Sequence, residues 1–135
     1  MTESPFATHR AVLVDSDYAA AGFLQSFAMA MYAGAAYPMD ANGLRNLDDQ
    51  HMQIFQKMAA SYRRHGEADP DFVDVCKAIK AKRAAHALRV KGILDELLDS
   101  DPDQYEGGRH EHAGTVSVYE REHQLNIERR WYAPS

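Results

Sequence analysis

Apolar residues recur at helical spacing in three stretches of this chain and, less regularly, in a fourth. The first, DSDYAAAGFLQSFAMAMYAG from Asp15, puts Phe23, Phe27, Ala30 and Met31 near one line, with Ala20 and Leu24 beside it. Its residue types are apolar almost all round, which predicts a helix buried on more than one side. Asp15 or Ser16 is placed to cap its start. Gly34 is a natural stop, and Pro38 prevents continuation. Upstream, AVLV at 11–14 is too short for periodicity to tell a strand from a helical lead-in.

The second stretch is LDDQHMQIFQKMAASYRRHG. Leu47, His51, Ile54, Phe55, Met58 and Tyr62 share one helical face. Asp48 and Asp49 at the start, and Arg63, Arg64 and His65 at the end, complement the helix dipole, and Gly66 is placed as a C-terminal cap. Before it, Asp40 is positioned to cap a short turn that carries Leu44. The third stretch runs from Asp69 to near Ser100, with Asp69 as cap and Pro70 at the first helical position. Its stripe is Phe72, Cys76, Ile79, Val90, Leu94 and Leu97, thinned in the middle by alanines.

Two readings compete for TVSVYEREHQLNIERRWYAPS. As strands, Val116 and Val118 alternate, as do Leu125 and Ile127. As a helix, Val116, Tyr119, His123, Ile127 and Trp131 share a face, and Ser117 to Glu120 fits a capping box. The helix accounts for more residues and is the expectation. The fold expected is therefore all-α: a small bundle of three main helices plus a C-terminal helix, with a short strand pair as the alternative. A length of 135 residues predicts a single domain over 1–135. Within it, 1–10 reads as a loose tail and 100–114 as a flexible loop, acidic and glycine-bearing.

Composition narrows the function classes. A formal charge of −5 gives no overall attraction to nucleic acid or to an anionic membrane. Cys76 is the sole cysteine, so an internal disulfide is excluded, and its place on an apolar stripe predicts a buried, inert thiol. The first residues do not read as a secretory signal, and no apolar run approaches the length needed to span a bilayer. These features together predict a cytoplasmic protein.

The candidate chemistry is sparse. GGRHEHAGTVSVYEREHQ gathers His110, His112 and His123 with Glu111 and Glu120. Imidazoles and carboxylates are zinc ligands, and a His-x-His pair in an extended loop directs both rings to one side. The spacing fits no zinc motif. A basic band, Lys77, Lys80, Lys82, Arg83, Arg89 and Lys91, offers phosphate contacts. It is flanked by acids at both ends and lacks interleaved aromatics for base stacking. Asp48, Asp49 and His51 do not read as sharing a helix face, and are expected to serve as first-turn residues. The paired glycines at 107–108 lack the surroundings of a phosphate loop. No cofactor is expected, and a non-enzymatic role is favoured over an enzymatic one. Met31, Tyr32, Tyr37, Trp131 and Tyr132 are the residue types that anchor protein interfaces.

Phe23, Leu24, Tyr32, Ala33, Met39, Asp40, Leu44, Leu47 and Asp48 lie in AGFLQSFAMAMYAGAAYPMDANGLRNLDDQ. Their arrangement resembles that of small uncharacterised proteins carried by bacterial plasmids and integrative conjugative elements. The resemblance covers under a third of the chain; Met39 stands where that pattern has an aromatic. It implies a bacterial accessory protein and transfers no functional residue. The function expected is an adaptor or protein-interaction role, with self-association as a homodimer. The alternatives are metal binding by His110, His112 and His123, and nucleic-acid binding through residues 77–91.

Overall fold

Good helix formers, acidic caps and short connections leave little room for anything but helix. The computed structural model describes residues 3–134, and among them the chain is all-α, without a strand. The principal helices are α1 (Pro5–Thr8), α2 (Ala19–Ala33), α3 (Asp49–His65), α4 (Pro70–Asp99) and α5 (Gly108–Glu128). Two compact units divide the chain, one up to Ala81 and one from Lys82 on, and α4 contributes to both. No helix among the described residues is long and apolar enough to cross a membrane.

In the first unit α1 and α2 both pack on α3, and the start of α4 completes the core. Leu24, Met29, Met58, Phe72 and Cys76 are fully enclosed. The α2 residues buried are Ala20, Ala21, Phe23, Leu24, Ala28 and Met29, which is the many-sided burial that its composition predicts. Phe72 sits at the centre of an aromatic group, its ring centroid 4.9 Å from Phe6, 5.1 Å from Tyr62 and 6.1 Å from Tyr32. Cys76 is buried as expected, with its thiol directed at the Ala28 carbonyl oxygen 3.6 Å away.

Two N-terminal expectations need correction. The segment read as a loose tail over 1–10 contains α1, and Phe6 within it is wholly buried. Ser4 holds it in place: its Oγ accepts from the Phe6 amide at 3.2 Å and donates to Asp69 Oδ2 at 2.6 Å. Met1 and Thr2 of that tail lie outside the described residues. Residues Ala11–Asp15, where a strand was an option, form one turn of π-helix. Gln25 secures that turn by donating to the Val12 and Ser16 carbonyls at 3.2 and 2.8 Å. Consequently α2 starts only at Ala19, and neither Asp15 nor Ser16 caps it.

The caps at Asp40, Gly66 and Asp69 match their sequence signals, whereas Asp48, expected in the first turn of α3, is its N-cap. Asp40 accepts from the Asn42 amide and opens a short 3-10 turn, Ala41–Asn46. Asp48 caps α3, and Gly66 ends it with a left-handed φ of 51°. Asp69 accepts from the Asp71 amide at 2.9 Å just ahead of Pro70.

The second unit is a helical hairpin made from the later part of α4 and from α5. The flexible loop expected over 100–114 is instead ordered and short. Asp101 caps a 3-10 turn, Pro102–Gln104. Arg109 grips Asp103 with two parallel hydrogen bonds, from Nε to Oδ1 and from Nη2 to Oδ2, each 2.9 Å, which lowers the Asp103 carboxyl pKa below its usual range. Gly107 and Gly108 take φ values of 91° and 86°, open to glycine at no steric cost, and turn the chain directly into α5. The helix therefore starts well before Ser117, and the capping-box pattern there lies inside it, unused. Residues 115–128 are helical, which settles the strand alternative for that stretch.

Candidate functional site

The His-Glu-His segment belongs to the first turns of α5, and that fact decides what it can do. In a helix, residues two apart point to nearly opposite sides. His110 is exposed, whereas His112 is buried to 7% exposure. The Nε2–H of His112 donates to the Leu97 carbonyl oxygen at 2.8 Å, with Ser100 Oγ 3.2 Å away. Its ring packs edge-on against Tyr105, 5.3 Å between centroids. His112 thus joins Ser100, whose Oγ donates to the same carbonyl at 2.8 Å, in closing the end of α4.

His123 lies roughly 16 Å further along the helix axis and packs edge-on against Tyr132 at 4.8 Å. Extended-chain geometry was the reason to group these histidines, and helix formation removes it. Among the described residues, no group of three or more His, Cys, Asp or Glu side chains is assembled to hold a metal ion.

The end of α5 holds the most concentrated polar chemistry of the hairpin. Arg130 has a φ of 64°, the left-handed region. The Trp131 amide reaches back to the Asn126 carbonyl at 2.8 Å, and the Arg130 amide to the Ile127 carbonyl at 3.1 Å. This is a Schellman closure with arginine where glycine is usual. It folds Trp131 and Tyr132 back over the helix. Trp131 then receives two guanidinium groups, Arg129 at 3.5 Å and Arg83 at 4.8 Å from the ring centroid.

Glu122 joins this group, accepting from Arg129 at 2.8 Å and lying 3.2 Å from His86 Nε2. Burial lowers the Arg129 pKa from its ordinary value, opposed by the Glu122 charge. Asn126 is fully buried and accepts from Arg129 Nε at 3.0 Å. The Arg130 conformation gives a direct test. Arg130→Gly is expected to raise stability by about 0.5–1 kcal/mol, because the left-handed φ strains any side chain with a Cβ. Urea denaturation reads this, and a loss of stability would contradict the strain.

The basic band does not form one surface. By helical geometry Lys77, Lys80 and Lys91 lie near one side of α4, while Lys82 and Arg89 lie roughly opposite. Arg83 is engaged with Trp131, and Lys91 pairs with Asp95. The candidate interface residues are also spoken for within the chain. Met31, Tyr32 and Tyr37 pack in part against the first core. Trp131 and Tyr132 are held at the end of α5.

Asp48 and His51 do share a face, contrary to expectation. As N-cap and third helical residue they stand together, and Asp48 Oδ1 accepts from the His51 amide at 2.8 Å and meets His51 Nδ1 at 2.7 Å. The other ring nitrogen, Nε2, lies 2.9 Å from the Tyr18 hydroxyl. Nothing in the local sequence signals Tyr18, because it precedes a different helix. In comparisons with family models, curated proteins and solved structures, the chain matches none.

Proposed function

We propose that this chain is a non-enzymatic protein-interaction or adaptor protein, and that its hairpin associates with a second copy of itself. One observation carries the reading. Of the seven large apolar side chains exposed among the described residues, five lie on the hairpin: Leu88, Ile93, Leu98, Val118 and Leu125. The same hairpin buries few apolar residues of its own, Ala87, Val90 and Leu94. Two helices cannot enclose a core by themselves; Leu88, Ile93 and Leu98 point to three different sides of α4, so the seam a second hairpin would cover is the one on α5. Val118 and Leu125, two turns apart, project from one side of α5 at 58% and 42% exposure. The resemblance to mobile-element accessory proteins, and a cytoplasmic location, are compatible with such a role.

Sedimentation or light scattering of untagged protein across about 1–100 µM tests it. A dimer is expected, and Val118→Glu with Leu125→Glu is expected to weaken association at least about 100-fold. A monomer throughout that range would sink the self-association.

A further inference from the structure

We propose that Tyr18 is an acyl-acceptor site, with His51 as its general base, Asp48 as the residue that positions that base, and small activated carboxylic esters as donors. This reading is independent of self-association and concerns the first unit alone.

The hydrogen-bond chain selects one tautomer of the neutral His51 ring. An ionised carboxylate only accepts, so the 2.7 Å contact with Asp48 places the proton on His51 Nδ1. In the neutral ring Nε2 then carries the lone pair, and at 2.9 Å it is placed to accept from the Tyr18 hydroxyl. Asp48 stays ionised because hydrogen bonds from the His51 amide, and then from the His51 ring, hold its pKa below the carboxylate norm. As the cap of α3 its Oδ1 also accepts from the His51 amide at 2.8 Å, which orients it toward the ring. The His51 side chain is only 13% exposed, so water competes little for its ring, while Tyr18 is 45% exposed and open to a reagent. The two rings meet edge-on, 5.4 Å apart, which sets the hydroxyl against the imidazole. Hydroxyl, imidazole and carboxylate in this order form the relay that activates a nucleophile.

The step balances without any oxidant or cofactor. His51 Nε2 takes the hydroxyl proton as the Tyr18 oxygen attacks the ester carbonyl. A C–O bond forms to Tyr18, and the bond to the leaving oxygen breaks. The departing oxyanion then takes the proton from His51, leaving an acylated tyrosine and a neutral alcohol or phenol. One acyl group is accepted per chain, so the event is a modification and requires no turnover.

The test uses p-nitrophenyl acetate on the full chain, with nitrophenol release followed in time and the acetylated residue located by peptide mass spectrometry. One acetyl group on Tyr18 is expected, formed faster than on any other tyrosine. Tyr18→Phe should abolish that fast phase. His51→Gln, which can hydrogen-bond but cannot act as base, should slow it about 100-fold. Asp48→Asn preserves the helix cap, since both residues cap well, yet removes the charge and the tautomer control. It should slow the reaction at least about tenfold with the chain still folded and only a small fall in melting temperature, and lose the solvent deuterium isotope effect of the parent. Acetyl groups scattered over other residues, a fast phase that survives Tyr18→Phe, or equal rates in His51→Gln would each overturn the proposal.

Discussion

Phe72→Ala is expected to destabilise the first unit by about 4 kcal/mol, read as a fall in the urea midpoint followed by far-UV circular dichroism. Phe72 has no exposed surface, so truncation empties a space that no solvent fills. Removing a buried phenylalanine costs roughly 3–5 kcal/mol through lost transfer energy and the cavity left behind. The upper part of that range applies because three aromatic neighbours lose their ring partner: Phe6, Tyr62 and Tyr32. Each such pair contributes about 0.5–1.5 kcal/mol beyond area. Phe6 comes from α1 and Tyr62 from α3, so the ring joins segments distant in sequence. Phe72→Leu keeps most of the volume and should cost about 1–2 kcal/mol. A loss below about 1 kcal/mol for the alanine variant would mean that this aromatic group is not the centre of the core.

The prediction rests on features that were partly open to reading from the chain. The stripe on α4 was visible because Phe72, Cys76 and Ile79 recur at helical spacing, and all three are buried. The end of α3 and the start of α4 were equally visible, since Gly66, Asp69 and Pro70 each have a local physical reason to stop or start a helix, whereas Asp48, read as a first-turn acid, is the N-cap of α3. The role of Phe6 was not visible. Its anchoring depends on the Ser4–Asp69 hydrogen bond and on the Phe72 ring, both far away in sequence. Polar composition around it suggested a tail, and a tertiary contact overrode that signal.

Residues 100–114 failed for a related reason. Glycines and acids there resemble those of a disordered loop, but left-handed turns at Gly107 and Gly108 and the Arg109–Asp103 clamp make the same residues a tight entry into α5. Once the helix begins at Gly108, His110 and His112 part company. The side chains that come together in the candidate sites are brought there by tertiary structure: Tyr18 joins His51 from another helix, and Arg83 and His86 meet Trp131 across the hairpin. Spacing along the chain carries no trace of either meeting.

The same hairpin contact makes Trp131 the residue whose loss should most affect the second unit. Trp131→Ala is expected to cost about 2–3 kcal/mol. The ring is half-buried, so its removal forfeits part of the apolar area of a large side chain. It also leaves two guanidinium groups, Arg129 at 3.5 Å and Arg83 at 4.8 Å, without the aromatic face they rest on. A cation over an indole contributes about 0.5–1 kcal/mol where solvent reaches it and more where it does not, and Arg129 is the nearer of the two to the ring. Trp131→Leu separates the contributions, since it retains apolar cover but removes the ring quadrupole; about half the loss should remain. Amide hydrogen exchange gives the local reading: the Trp131 and Tyr132 amides, which donate to the Asn126 carbonyl, should lose protection in the alanine variant before the middle of α5 does. Unchanged protection there would show that backbone closure at Arg130 holds the turn by itself, and that the stacked arginines add nothing to it.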